Sequence, residues 1–154
     1  MTREQTVFFE DYTPGFCEEF GHYEVTEEEI LDFARKYDPQ PYHIDKDAAR
    51  ESIFGGLCAS GWHTCAMTMR MMVDHLAETG AASLGSPGID QIRWLKPVRP
   101  GDVLRVRSEV IETRPLKRRP GMGVVKSSYT VLNQDDEPVM TFIGNGFVAL
   151  RRVA

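Results

Sequence analysis

Between Thr26 and Glu78 the apolar residues of this chain recur at helical spacing, whereas from Ile92 onward they recur every second residue. That change of period restricts the fold more than any motif, because the two regions must bury their apolar surface in different ways. In the helical region, Trp62 to Glu78 carries Trp62, Cys65, Ala66, Met69, Met72, Val73 and Leu76 on one stripe, and Met67 and Met71 extend it around the circumference. A helix apolar on so many sides has to be enclosed by other structure. The enclosure comes from the alternating sets Ile92/Trp94, Leu104/Val106/Val110, Val125/Ser127/Tyr129/Val131 and Met140/Phe142/Val148/Leu150. Each set pairs a buried face with a solvated one, as antiparallel strands do. Asn133 to Pro138 reads as a hairpin loop, and Gly144 and Gly146 as a bulge or bend in the last strand. The expectation is an α+β fold, a curved antiparallel sheet wrapped around one long central helix. Such a sheet leaves an edge strand exposed, and dimerisation would cover it.

The N-terminal part carries local signals. Residues 1–16 read as an irregular lead-in with a turn at Thr13-Pro14-Gly15, and Cys17 to Val25 as a first strand. Thr26 and Glu29 form a capping box for a helix whose positive dipole end holds Glu27, Glu28 and Glu29. Ile30, Phe33, Ala34 and Tyr37 fall on one face and are expected to be buried; Asp38-Pro39 stops the helix. A short helix from Lys46 to Glu51 follows, with Asp45 as N-cap, and Gly80 to Gly88 reads as a loop. At 154 residues, 1–154 is expected to be a single domain with its own core.

Composition excludes several classes of function. A net charge of −5 argues against nucleic acid as the partner, since phosphate binding needs a basic surface. Cys17, Cys58 and Cys65 are odd in number and lack CxxC spacing, which suggests reduced thiols and a cytoplasmic location. No pair of histidines with a carboxylate has ligand spacing, so no metal is expected. Met1 to Glu10 has no apolar signal region. The apolar run Cys65 to Leu76, broken by Arg70, Asp74 and His75, is too short to span a membrane.

Chemistry concentrates in two stretches. Asp38-Pro39-Gln40-Pro41-Tyr42-His43 sets a carboxylate and an imidazole a few residues apart. Each Pro fixes its own φ and pushes the preceding residue to extended backbone, so Asp38 and Gln40 are expected to be non-helical. This suits an acid/base pair; it also suits a plain helix stop beside a partly buried structural histidine. Phe54-Gly55-Gly56-Leu57-Cys58-Ala59-Ser60-Gly61 then leads into the long helix, with glycines fit for tight turns and Ser60 for a cap. His63 reads as a core or interface histidine, His22 and His75 as solvated or structural. Met67, Met69, Met71 and Met72 read as core packing, with one face able to line an adaptable acyl tunnel.

Asp38-x-Gln40-Pro41-x-His43-x-Asp45 followed by Phe54-Gly55-Gly56-x-x-Ala59-Ser60-Gly61 resembles the MaoC-like acyl dehydratases of the hot-dog superfamily, which include the (R)-specific enoyl-CoA hydratases. The resemblance covers about Phe8 to Leu150. It implies a hot-dog fold and reversible hydration of a trans-2-enoyl thioester, carried by CoA or by acyl carrier protein, with no cofactor besides the coenzyme A of the substrate. It implies Asp38 and His43 as the pair that activates water, and Gly61 as the residue whose N–H polarises the thioester carbonyl. Gln40, Ser60, Gly56, Arg118 and Arg119 are then expected to contact substrate. Three residues depart from the family pattern: Gln40 for Asn, Tyr37 for Gly and Ser60 for His. The basic run Arg114-Pro115-Leu116-Lys117-Arg118-Arg119-Pro120-Gly121 reads either as a loop for coenzyme A phosphates or as a solvated hairpin connection. Two alternatives stay open. One is a hot-dog thioesterase, weakened because the long helix offers only Asp74 and Glu78; the other is a non-catalytic acyl-thioester-binding subunit. The expected assembly is a homodimer or a higher assembly of dimers.

Overall fold

The computed structural model describes residues 4–152. After a 3-10 turn at Phe9–Asp11 come β1 (Cys17–Glu24), α1 (Glu27–Tyr37), α2 (Pro41–Ile44), α3 (Lys46–Glu51), α4 (Gly61–Thr79), β2 (Ser83–Trp94), β3 (Val103–Pro115), β4 (Met122–Leu132) and β5 (Pro138–Ala149). The strands form one sheet in the order β1-β3-β4-β5-β2, every neighbouring pair antiparallel. α4 lies along the inward face of this sheet. The core joins Ile30 of α1, Met67 and Met71 of α4, and Leu104, Val106, Val131 and Met140 of the sheet. Leu104 is fully buried there. Leu104→Ala is expected to lower unfolding free energy by about 2–5 kcal/mol, read from denaturant midpoints.

The structure corrects four expectations. The buried face of α4 is His63, Thr64, Met67, Thr68 and Met71, while Trp62 and Met69 are 61% and 53% exposed and Val73 is exposed too. Burial of threonine is cheap here because Thr68 Oγ1 donates to the Thr64 carbonyl at 2.8 Å. Of the expected stripe, Cys65 and Met72 stay partly buried against the core, and Trp62, Met69 and Val73 are left open. Tyr37 is likewise exposed, with its ring beside Phe33 and under Lys36. The capping box is half made: Thr26 Oγ1 accepts from the Glu29 N–H at 3.2 Å, but the Glu29 carboxylate is taken by Tyr23 and His63. Finally, β2 already begins at Ser83, inside the glycine-rich run, and pairs with Val148. Gly85 and Gly88, at φ 116° and 147°, lie where the ladder shifts register, so these glycines bend a strand instead of forming a loop.

Candidate active site

Asp38 is the C-cap of α1, where Ala34 O accepts its N–H at 2.8 Å, and its φ of −148° takes the chain out of the helix. Gln40, extended at φ −78° and ψ 143°, then occupies the N-cap position of the four-residue α2, which starts on Pro41 as proline at a first helical position allows. That single turn carries His43 inward, to 6% exposure. The two prolines therefore hold both a helix stop and a helix start, with the two polar side chains on either side.

The His43 ring is oriented by a backbone acceptor. Nδ1 lies 2.8 Å from the Cys58 carbonyl, which only accepts, so Nδ1 carries a hydrogen and Nε2 is the face turned to Asp38. Nε2 stands 3.5 Å from Asp38 Oδ2, too long for a strong direct hydrogen bond and suited to one water shared by both atoms. The other carboxylate oxygen, Oδ1, accepts from Gln40 Nε2 at 2.6 Å, and the Gln40 carbonyl accepts from Tyr42. Gln40 thus clamps one oxygen of Asp38 and leaves the second for His43. Tyr42 also meets the His43 ring edge-on at 4.5 Å.

Burial acts to raise the pKa of Asp38, but the Gln40 amide, the Ser60 hydroxyl and His43 outweigh it and hold the carboxyl below its ordinary 3.8. Ser60 Oγ is buried and completes no hydrogen bond. It occupies the N-cap position of α4 without capping it, which corrects the expected role, and its hydroxyl lies near enough to Asp38 to favour the carboxylate without a well-formed hydrogen bond. The first bond inside α4 runs from the Thr64 N–H to Ser60 O at 3.0 Å. The N–H groups of Gly61, Trp62 and His63 therefore have no acceptor within the helix and form its positive end.

Two residues unmarked in the sequence build this region. Arg99 donates to the carbonyls of Gly56 at 2.8 Å, Leu57 at 3.3 Å and Phe54, fixing the run that delivers Cys58 and Ser60. Gly56 serves here as a backbone anchor for Arg99. Trp94 Nε1 donates to Gly61 O at 3.0 Å, and a Cβ at Gly61 would lie 2.4 Å from the indole, so only glycine fits beneath it. Neither partner could be inferred from spacing, because each reaches the site from more than 30 residues away in sequence, Trp94 from the end of β2 and Arg99 from the loop before β3.

The structure thus brings Asp38, Gln40, His43 and Ser60 together beside Gly61, and leaves Arg118 and Arg119 apart. These two lie exposed in the β3–β4 turn. Ala59 bonds Val98, just before β3, and β3 then runs 13 residues to that turn, about 40 Å. Within one chain the basic turn and the Asp38–His43 pair stand at opposite ends of the sheet. Asp74 is engaged with Arg70 at 3.0 Å on the exposed side of α4. His63 is buried as expected, bonded to Glu29 at 3.1 Å and stacked on Phe33, while His22 is exposed beside Glu24 and His75 pairs with Glu18. Among the described residues no three His, Cys, Asp or Glu side chains gather as a metal site, and no helix is long and apolar enough to cross a membrane.

Residues 18–132 match the family model described as MaoC like domain. A MaoC-like dehydratase from Rhodospirillum rubrum superposes with TM-score 0.86 at 38% identity, over 96% of this chain and 100% of that one. The 3-hydroxybutyryl-CoA dehydratase of Methylorubrum extorquens is 28% identical over 116 residues, 75% of this chain and 71% of that protein. A Mycobacterium tuberculosis protein with a double hot-dog fold aligns at 16% identity and TM-score 0.79, over 96% of this chain and 45% of that one.

Proposed function

The chain belongs to the MaoC-like domain family and has its hot-dog fold, and on that premise we propose that it catalyses the reversible addition of water to a trans-2-enoyl-CoA, giving an (R)-3-hydroxyacyl-CoA. The observation that carries this reading is the 3.5 Å gap between Asp38 Oδ2 and His43 Nε2, each held by its own partner. A water bound beside the pair, within reach of both atoms, would donate one hydrogen to each. As its oxygen bonds to the β-carbon, Asp38 takes a proton, and negative charge moves to the thioester oxygen. That oxygen docks at the Gly61 N–H, where the free amides of α4 stabilise it. The proton that completes the reaction reaches the α-carbon through the Asp38–His43 pair, with His43 orienting and relaying. The R. rubrum and M. extorquens relatives, one called a MaoC-like dehydratase and the other a 3-hydroxybutyryl-CoA dehydratase, support the reaction class.

The functional unit we propose is a dimer. β2 is an edge strand, and Trp62, Met69, Val73, Leu84, Ile89 and Trp94 are exposed along it and the adjacent face of α4. Antiparallel pairing of two β2 edges would also carry the second copy's Arg118–Arg119 turn toward the Asp38 end, where coenzyme A phosphates would lie. A sedimentation mass of one chain at micromolar concentration would remove this part of the reading.

Crotonyl-CoA tests the chemistry: loss of enoyl absorbance without release of free thiol is expected. Thiol release would shift the reading to a thioesterase, and binding without either signal to a non-catalytic subunit. The charge state of Asp38 adds a pH signature. Its folded pKa is depressed, so its contribution to stability is present above the unfolded value and lost as pH falls through the folded one, and its action as a base is lost over that same fall through the folded value. Gln40→Ala removes a group that holds the pKa down, so the acid limb of kcat/KM is expected to move to higher pH. An unmoved limb would mean that another group controls it.

A further inference from the structure

Gly61, Cys65, Met69, Met72 and Leu76 follow one another at three- and four-residue intervals, so one stripe of α4 runs from the site down the helix. From Cys65 onward this stripe walls a cleft of about 460 Å³ between α4 and the inward face of the sheet. Near Gly61 the walls are apolar, Ile92 and Met140 among them. Farther along they turn polar. His75 lies 14 residues beyond Gly61, about 20 Å along the helix, and bonds Glu18 at 3.0 Å. Glu18 pairs across the sheet with Ser108, and Ser108 with Tyr129; Ser127 sits one inward position away on β4. All of these residues face the cleft.

This patch breaks a pattern that is otherwise strict. The inward positions of β3 and β4 on either side, Leu104, Val106, Val110, Val125 and Val131, are aliphatic and buried. Ser108 and Ser127, at 8% and 5% exposure, stand where the alternation calls for aliphatics. Hydroxyls so placed are costly to bury unless a partner meets them. Packing alone would be served better by alanine or valine.

Building on the acyl-thioester reading above, we propose that the substrate's acyl tail carries a neutral hydroxyl or keto group at its far end. The Ser108–Ser127–Tyr129 patch and the Glu18–His75 pair would bind that group. A carboxylate there would face the Glu18 carboxylate, and an ammonium would lose its hydration against the aliphatic walls. Ser127 already meets the Tyr129 hydroxyl, so a plain alkyl end would add no hydrogen bond and would set apolar carbon against the Ser108 hydroxyl, the kind of mismatch by which a hydrogen-bonding pocket disfavours an apolar analogue.

The test compares two long trans-2-enoyl-CoA substrates of equal length, one with a terminal hydroxyl, beside crotonyl-CoA, which is too short to reach the patch. The wild type is expected to favour the hydroxylated chain by at least about tenfold in kcat/KM. Ser108→Ala combined with Tyr129→Phe should bring that ratio near one and leave crotonyl-CoA turnover unchanged. The Tyr129→Phe change keeps the ring stacked on Phe142 at 4.7 Å, which protects the fold. Calorimetric binding of the two corresponding saturated acyl-CoAs to the wild type makes the same comparison without turnover. Equal affinity for both, or a preference that survives the double substitution, overturns the proposal. Absent crotonyl-CoA turnover with the binding preference retained overturns only the hydratase reading.

Discussion

Asp38→Asn is expected to lower crotonyl-CoA hydration by about 10²- to 10⁴-fold, the range for loss of a positioned acid/base group, with the fold retained. The substitution nearly conserves shape. Asn can still accept from Gln40 Nε2 through its own oxygen, so the clamp seen at 2.6 Å can persist. Its amide nitrogen then occupies the position of Oδ2 and can donate to the free His43 Nε2, where the carboxylate leaves room for a water. The pair would be joined to itself and the water would lose both its base and its site. His43→Ala should show a similar loss of turnover by a different route. It leaves the Cys58 carbonyl without its donor, and an unmatched buried acceptor costs about 1–3 kcal/mol, so this variant should also unfold at lower denaturant. Circular dichroism and unfolding midpoints separate that cost from catalysis. Parent rates in both folded variants would remove the water-activation mechanism.

How much of this was legible in the sequence depends on the range of each interaction. The change from helical to two-residue period identified the wrapped helix, because periodicity records burial directly. Asp38 and His43 were legible because prolines restrict the backbone locally, and the structure keeps Asp38 and Gln40 out of the helices they border. The orientation of α4 was not legible. Hydrophobicity alone selected the stripe with Trp62, Met69 and Val73, whereas the buried face is the one where Thr68 satisfies its hydroxyl on Thr64 and His63 meets Glu29 of α1. Apolar periodicity ranks the faces of a helix by hydrophobicity alone and carries no record of which polar side chains find partners when buried. Arg99 and Trp94 escaped notice for another reason. Their targets are backbone carbonyls and a glycine, which leave no side-chain signature for a spacing argument to find. Gln40 shows the opposite: its extra methylene relative to Asn still lets it hold both Asp38 and Tyr42.

Gly61→Pro, compared with Gly61→Ala, is expected to isolate the contribution of one amide N–H. Gly61 is the first residue of α4, and proline is tolerated there because the N–H it lacks has no partner within the helix. Ser60 already has φ −53° and ψ 142°, a conformation that a following proline accepts. Both substitutions add a Cβ 2.4 Å from the Trp94 ring, so the comparison needs Trp94→Ala in each protein to open that space. In this background the alanine variant keeps the N–H that would meet the thioester oxygen, and the proline variant lacks it. Removing one oxyanion donor costs about 10²- to 10³-fold in kcat, and that ratio is expected between the two proteins, with the larger part in kcat and little in KM. Equal kcat in two folded variants would transfer the role to the neighbouring N–H groups of Trp62 and His63 and end the assignment to Gly61. A ratio confined to KM would mean that the amide binds the thioester in its ground state and contributes nothing as charge develops.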